Sequence, residues 1–139
     1  MKKEDLHGYV PAIATPFNEK GKIMDDAFTE LFEFLIGRGA TTICIAGDNG
    51  ESWALNAAER GHLVRLAKDI AKDRVNVMMG VSAPTIDASL AYVRAAEENG
   101  ADVLLSMPQT YVLKASEAEL MARFDKISSR TGKPLVLYN

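Results

Sequence analysis

Six consecutive residues, Gly47-Asp48-Asn49-Gly50-Glu51-Ser52, are the most suggestive chemistry in this 139-residue sequence. Two glycines three positions apart let a backbone turn tightly and present amide N–H groups to an anion such as a carboxylate. A plain tight turn is the alternative reading, because short Gly-x-x-Gly patterns are common. A phosphate-binding P-loop is excluded, since the Lys-Ser/Thr pair that completes one is missing. Tyr138 and Tyr111 bring phenols that relay protons only with help, an unassisted phenol of pKa about 10 being a poor acid or base at neutral pH. Their ordinary uses are core or rim packing for Tyr138, and packing against a substrate or subunit for Tyr111. Trp53, directly after the glycine turn, packs under it or lines a pocket. His7 and His62 stand apart from each other, and Cys44 is the single cysteine. No metal site and no disulfide framework is supported by that set.

These residues need elements to position them, and the hydrophobic pattern supplies an alternating series. Tyr9 to Phe17 is apolar and bounded by turn residues, which predicts a first strand. Asp25 is placed to cap a helix in which Phe28, Leu31, Phe32 and Leu35 recur at helical spacing, with Gly37 and Gly39 at its end. Thr42 to Ala46 is continuously apolar, as in a parallel strand covered on both faces, and Cys44 within it reads as a small buried hydrophobe. Asn56 and Glu59 form a capping box ahead of the stripe Leu63, Leu66, Ala67 and Ile70. A strand from Val75 to Val81, a helix from about Ile86 to Glu98 and a strand from Asp102 to Met107 follow. Ser116 and Glu119 form a second capping box, opening a helix through Ile127, and Leu135 to Tyr138 is a fifth strand. Alternating strands and helices with short connections give right-handed βαβ units and a parallel sheet. Two architectures fit: a complete five-stranded doubly wound sheet, or the first half of an eight-stranded (β/α)8 barrel of about 250 residues. Pattern alone favours the complete sheet. In both, ligands bind at the carboxyl ends of strands, where the glycine turn and Tyr138 fall.

Composition narrows the class. With 47% hydrophobic and 25% charged residues this is the balance of an ordinary globular domain. The formal charge of −3 is spread along the chain without a basic block, which argues against nucleic acid as a partner. No apolar run approaches the roughly 20 residues of a membrane span, and the first residues do not resemble a signal peptide, so a cytoplasmic location is expected.

Ala14-Thr15-Pro16-Phe17 closing the first strand, Gly47-x-x-Gly50-Glu51-Ser52 after the second and Leu137-Tyr138-Asn139 on the fifth together resemble one family. It is the dihydrodipicolinate synthase and N-acetylneuraminate lyase family of class I Schiff-base aldolases. Leu55, Glu59-Arg60, Gly80-Val81, Gly100-Ala101-Asp102, Pro108 and Ser116 add to the resemblance, which covers nearly the whole chain. It implies that residues 1–139 are the amino-terminal portion of a single (β/α)8 barrel domain, cut at strand five. It also implies a lysine on strand six that forms a Schiff base with pyruvate, a related 2-keto acid or a sugar acid, without a cofactor, in a homo-oligomer, a tetramer in this family. That lysine lies beyond Asn139, so the chain alone is expected to be inactive. By the same resemblance Tyr138 is the proton-relay residue and Gly47, Asp48, Asn49 and Gly50 belong to the carboxylate-binding loop. Tyr111 is an ambiguous counterpart of the family's loop tyrosine, because the stretch from Pro108 to Ser116 is longer than usual. Asp48 and Asn49 stand where the family usually carries Thr or Ser. An ionised Asp48 would repel a bound carboxylate, as close like charges do, which points to a hydroxylated, less acidic substrate or to a proton-accepting role. A non-catalytic half-barrel or binding homologue is the alternative.

Overall fold

Local signals fix the helix starts in a computed structural model that describes residues 6–108 and 115–138. Both capping boxes form. Ahead of helix α2 (Ala57–Ala71) the Asn56 side chain accepts the Glu59 amide at 3.0 Å while the Glu59 carboxylate accepts the Asn56 amide at 2.9 Å. Ahead of α4 (Glu117–Ser128) Ser116 and Glu119 make the same reciprocal pair. Helix α3 (Ile86–Glu98) is capped by Thr85, whose hydroxyl accepts the Ala88 amide. Helix α1 (Asp25–Gly37) departs from expectation: Asp25 is its first helical residue, and the cap position falls on Met24, which has no side-chain acceptor to offer. The Asp25 carboxylate instead sits 2.8 Å from His62 Nε2 and ties α1 to α2.

Four strands, β1 (Thr42–Ile45), β2 (Asn76–Gly80), β3 (Val103–Ser106) and β4 (Leu135–Leu137), pair in parallel in the order β1-β2-β3-β4. The expected first strand is reduced to isolated parallel bridges, Tyr9 with Ala40 and Ala12 with Cys44. It still runs beside β1, with the Ile13 amide donating to Cys44 and the Cys44 amide to the Pro11 carbonyl. Pro11 and Pro16 have no N–H to give, so a continuous ladder cannot form there.

Strand alternation divides the sheet into two faces. Ile43, Ile45, Val77, Met79 and Leu104 join Phe28, Phe32, Leu63, Val64, Val93, Ala96 and Ile127 of the four helices in one core. Cys44, Met78 and Val103 face the other way, with Leu6, Leu105 and Val136 packed on them and no helix among them. Successive helices pack on one another, α1 on α2, α2 on α3 and α3 on α4. A doubly wound sheet would reverse its strand order and carry helices on both faces. Sequential order with helices on one face is instead the wall of a barrel, and the Cys44–Met78–Val103 face is its inner side. No helix among the described residues is long and apolar enough to cross a membrane.

Candidate active site

The loop from Ala46 to Ser52 leaves the carboxyl end of β1, and its geometry reverses the expected role of its glycines. The left-handed residues are Ala46, with φ +49°, and Glu51, with φ +52°, while Gly47 and Gly50 lie outside that region. Each such non-glycine residue costs on the order of 1 kcal/mol and persists only where its surroundings over-determine it. Gly50 serves closeness instead: a Cβ there would stand 3.0 Å from the Ile13 carbonyl oxygen and 3.2 Å from the Ala46 nitrogen, a tight fit against two backbone groups. Gly80, ending β2, is tighter still, its Cβ position being 2.0 Å from the Ala46 carbonyl oxygen. Thr15 pins the loop from the other side, its buried hydroxyl donating to the Gly50 carbonyl at 2.8 Å. The amides of Gly50, Glu51 and Ser52 are spent inside the loop, on Gly47, Asp48 and Gly47. Among the described residues the amides of Asp48 and Asn49 make no backbone bond, and both residues are exposed, as is Glu51 further along the loop.

Asp48 and Asn49 meet Tyr138 in a cavity of about 410 Å³ at the carboxyl ends of the strands. Its floor is apolar, built by Ala12, Cys44, Met78, Leu105 and Val136 of the inner face. Tyr138 is 60% exposed, and its amide donates to the Ser106 carbonyl, which continues the β3–β4 pairing to the rim. Gly47 lines the same cavity, whereas Gly50 is buried beneath the loop. Burial pushes the Cys44 thiol up to about 12, so it is a neutral floor residue and not a nucleophile. Tyr111 lies outside the described residues. Among the described residues no lysine lines this cavity.

A second cavity, of about 320 Å³, shares Asp48 and Met107 with the first and is walled by Trp53, Ser82, Pro84, Tyr92 and Arg60. Trp53 is 74% exposed at its rim, which answers the packing question in favour of a pocket edge. The Ser82 hydroxyl accepts the Met107 amide at 2.8 Å and joins the carboxyl ends of β2 and β3. Arg60 is the residue that reading the sequence for chemistry missed. It is 1% exposed and donates Nε to the Leu55 carbonyl, Nη1 to Gly80 and Nη2 to Ser52 at 3.3, 2.7 and 2.5 Å. Its guanidinium lies over the Tyr92 ring, 3.6 Å from the centroid. Burial pulls it down to about 10, with Tyr92 opposing the shift, so it stays charged at neutral pH. A signal was present: Arg60 falls on the same helical stripe as Leu63, Val64, Ala67 and Ala71, where a charge is out of place.

A parallel barrel wall with a pinned loop after β1 and a tyrosine at the rim of β4, both opening on one cavity, defines a (β/α)-barrel scaffold with its candidate site at the carboxyl ends of the strands, where such barrels bind ligands. The chain belongs to the dihydrodipicolinate synthetase family, whose model matches residues 5–139. It is 34% identical to the 4-hydroxy-tetrahydrodipicolinate synthase of Salinibacter ruber over 134 residues, which is 96% of this chain and 44% of that protein. The crystal structure of a dihydrodipicolinate synthase from Bacillus anthracis superposes with a TM-score of 0.88 at 32% identity, over 94% of this chain and 44% of that one. YagE from E. coli K12, a prophage protein of the dihydrodipicolinic acid synthase family solved in complex with pyruvate, gives 0.89 at 28% identity, over 96% and 45%. The chain thus spans less than half the length of these relatives, and its fold is that of the first half of their barrel.

Proposed function

We propose that the whole protein is a lyase of the dihydrodipicolinate synthase type, which makes or breaks a C–C or C–O bond of a 2-keto acid such as pyruvate through a lysine Schiff base. The observation that carries this reading is the convergence of the Asp48–Asn49 turn and Tyr138 on one cavity at the strand ends. The Asp48 and Asn49 amides and the Asn49 side chain receive the substrate carboxylate. Tyr138 relays the proton that imine formation and collapse require. Residues 1–139 supply this half of a single barrel domain, and a lysine on strand six supplies the amine, held in the mouth where its pKa falls enough to make it a nucleophile. The chemistry asks for no metal or organic cofactor. The protein works as a homo-oligomer in the cytoplasm, and residues 1–139 by themselves are inactive.

Asp48 shapes the substrate. Its carboxylate lines both cavities and has no side-chain partner among the described residues, which favours a keto acid carrying a hydroxyl that can donate to it. The same carboxylate motivates a second reading, a non-catalytic homologue that keeps the loop and lacks the lysine. Borohydride trapping with a panel of plain and hydroxylated keto acids separates the two. A covalent adduct on a lysine after residue 139 is expected, and a full-length protein that traps none of them contradicts the lyase reading.

A further inference from the structure

The loop that presents Asp48 and Asn49 is held in a costly conformation at both ends, at Ala46 and Glu51, so something outside it must impose its shape. Three carbonyl groups from separate places converge on Arg60: Ser52 at the loop's end, Leu55 just before α2, and Gly80 at the end of β2. Gly80 is itself the residue pressed against the Ala46 carbonyl. We propose that Arg60 is the positioning residue of the loop: its guanidinium locks Ser52, Leu55 and Gly80 into one arrangement and thereby sets where Asp48 and Asn49 stand in the cavity. The proposal rests on the reading of that turn as the substrate-binding loop.

Three features make an arginine necessary there. A planar fork with five N–H groups can satisfy three carbonyls at fixed angles, which the single ammonium of a lysine cannot. Tyr92, reaching over from α3, covers the flat face of the guanidinium and donates toward the same Leu55 carbonyl at 3.5 Å, so the plane cannot rotate freely. A buried cation whose partners are carbonyls is also a poor choice for filling space, because apolar side chains of similar volume commonly stabilise a core as well or better. Packing alone therefore does not account for it. Arg60 shares a cavity wall with Asp48, so its charge also offsets that carboxylate in the field an approaching anion meets.

The test uses the full-length protein and two substitutions, Arg60→Met, which keeps the volume and removes the fork, and Arg60→Lys, which keeps the charge and loses the geometry. Hydrogen–deuterium exchange is followed on peptides covering residues 47–55 and on peptides from α1 and α4. Exchange of the loop is expected to rise about tenfold in both variants with the helices unchanged, as for a local opening. The pyruvate concentration that half-saturates borohydride trapping is expected to rise about tenfold while the yield at saturation is kept, the pattern of lost ground-state positioning. Unchanged loop exchange in both variants overturns the proposal, and so does acceleration spread over the whole molecule, which would make Arg60 a general support of the fold. Faster loop exchange with an unchanged half-saturating concentration overturns its link to substrate. If the parent protein traps no keto acid, the lyase reading falls, while the exchange experiment still decides whether Arg60 positions the loop.

Discussion

Asp48 is where the substrate question is concentrated. A carboxylate beside the place a substrate carboxylate would occupy lowers affinity for a plain keto acid, and its removal relieves that repulsion. Asp48→Thr is therefore expected to tighten pyruvate by on the order of tenfold and to weaken any substrate whose hydroxyl donates to Asp48. Competition binding on the parent and the variant, with pyruvate and a hydroxylated keto acid side by side, checks the crossover. Cys44 makes a different prediction. Burial raises its thiol from an ordinary 9.0 to about 12, so it should resist thiol reagents at pH 8 until the protein is unfolded. Because the folded state favours the neutral thiol, this contribution to stability is complete below about pH 9 and is lost as pH climbs toward about 12. An alkaline stability profile that ignored Cys44→Ala would contradict this. The tyrosine and the glycine turn could be singled out from the sequence because strand ends are predictable. Arg60 was passed over, because its role depends on which carbonyls a buried side chain meets in three dimensions, and Ala46 and Glu51 carry the left-handed backbone where sequence would place it on glycine.

At the scale of elements, the capping boxes at Asn56 and Ser116 were readable because both partners lie within four residues of each other. The extended segment from Tyr9 to Phe17 was readable as apolar and extended, but its pairing was not, since the prolines that interrupt a ladder matter only once the neighbour is known. Strand β2 shows how element and site are coupled. Gly80 lets β2 approach the Ala46 carbonyl, and a methyl group there must push either the strand or the loop away. Gly80→Ala is expected to cost about 1–3 kcal/mol, as overpacking does, against about 1 kcal/mol for Asn56→Ala, which removes only a cap. Urea unfolding of the two variants beside the parent gives the comparison, and only the glycine variant should also loosen substrate binding. Equal losses in both, with binding untouched, would mean the close approach at Gly80 has no consequence for the loop.

For the whole molecule, the decisive feature is the contrast between the two faces of the sheet. One is closed by four helices, and the other presents Cys44, Met78, Leu105 and Val136 to the cavity beneath Tyr138. Local pattern could not separate a complete doubly wound sheet from a barrel wall, because both are written as the same alternation of strands and helices; strand order and helix sidedness separate them. In the proposed function a keto acid reacts between this wall and a second half that carries the lysine, with Tyr138 moving the proton. Proton NMR of pyruvate in D2O with the full-length protein measures that chemistry directly, because reversible imine and enamine formation exchanges the methyl protons. The account predicts methyl exchange at catalytic protein concentration, slowed about a hundredfold or more by Tyr138→Phe. Pyruvate that is bound by the protein yet keeps its methyl protons would contradict it.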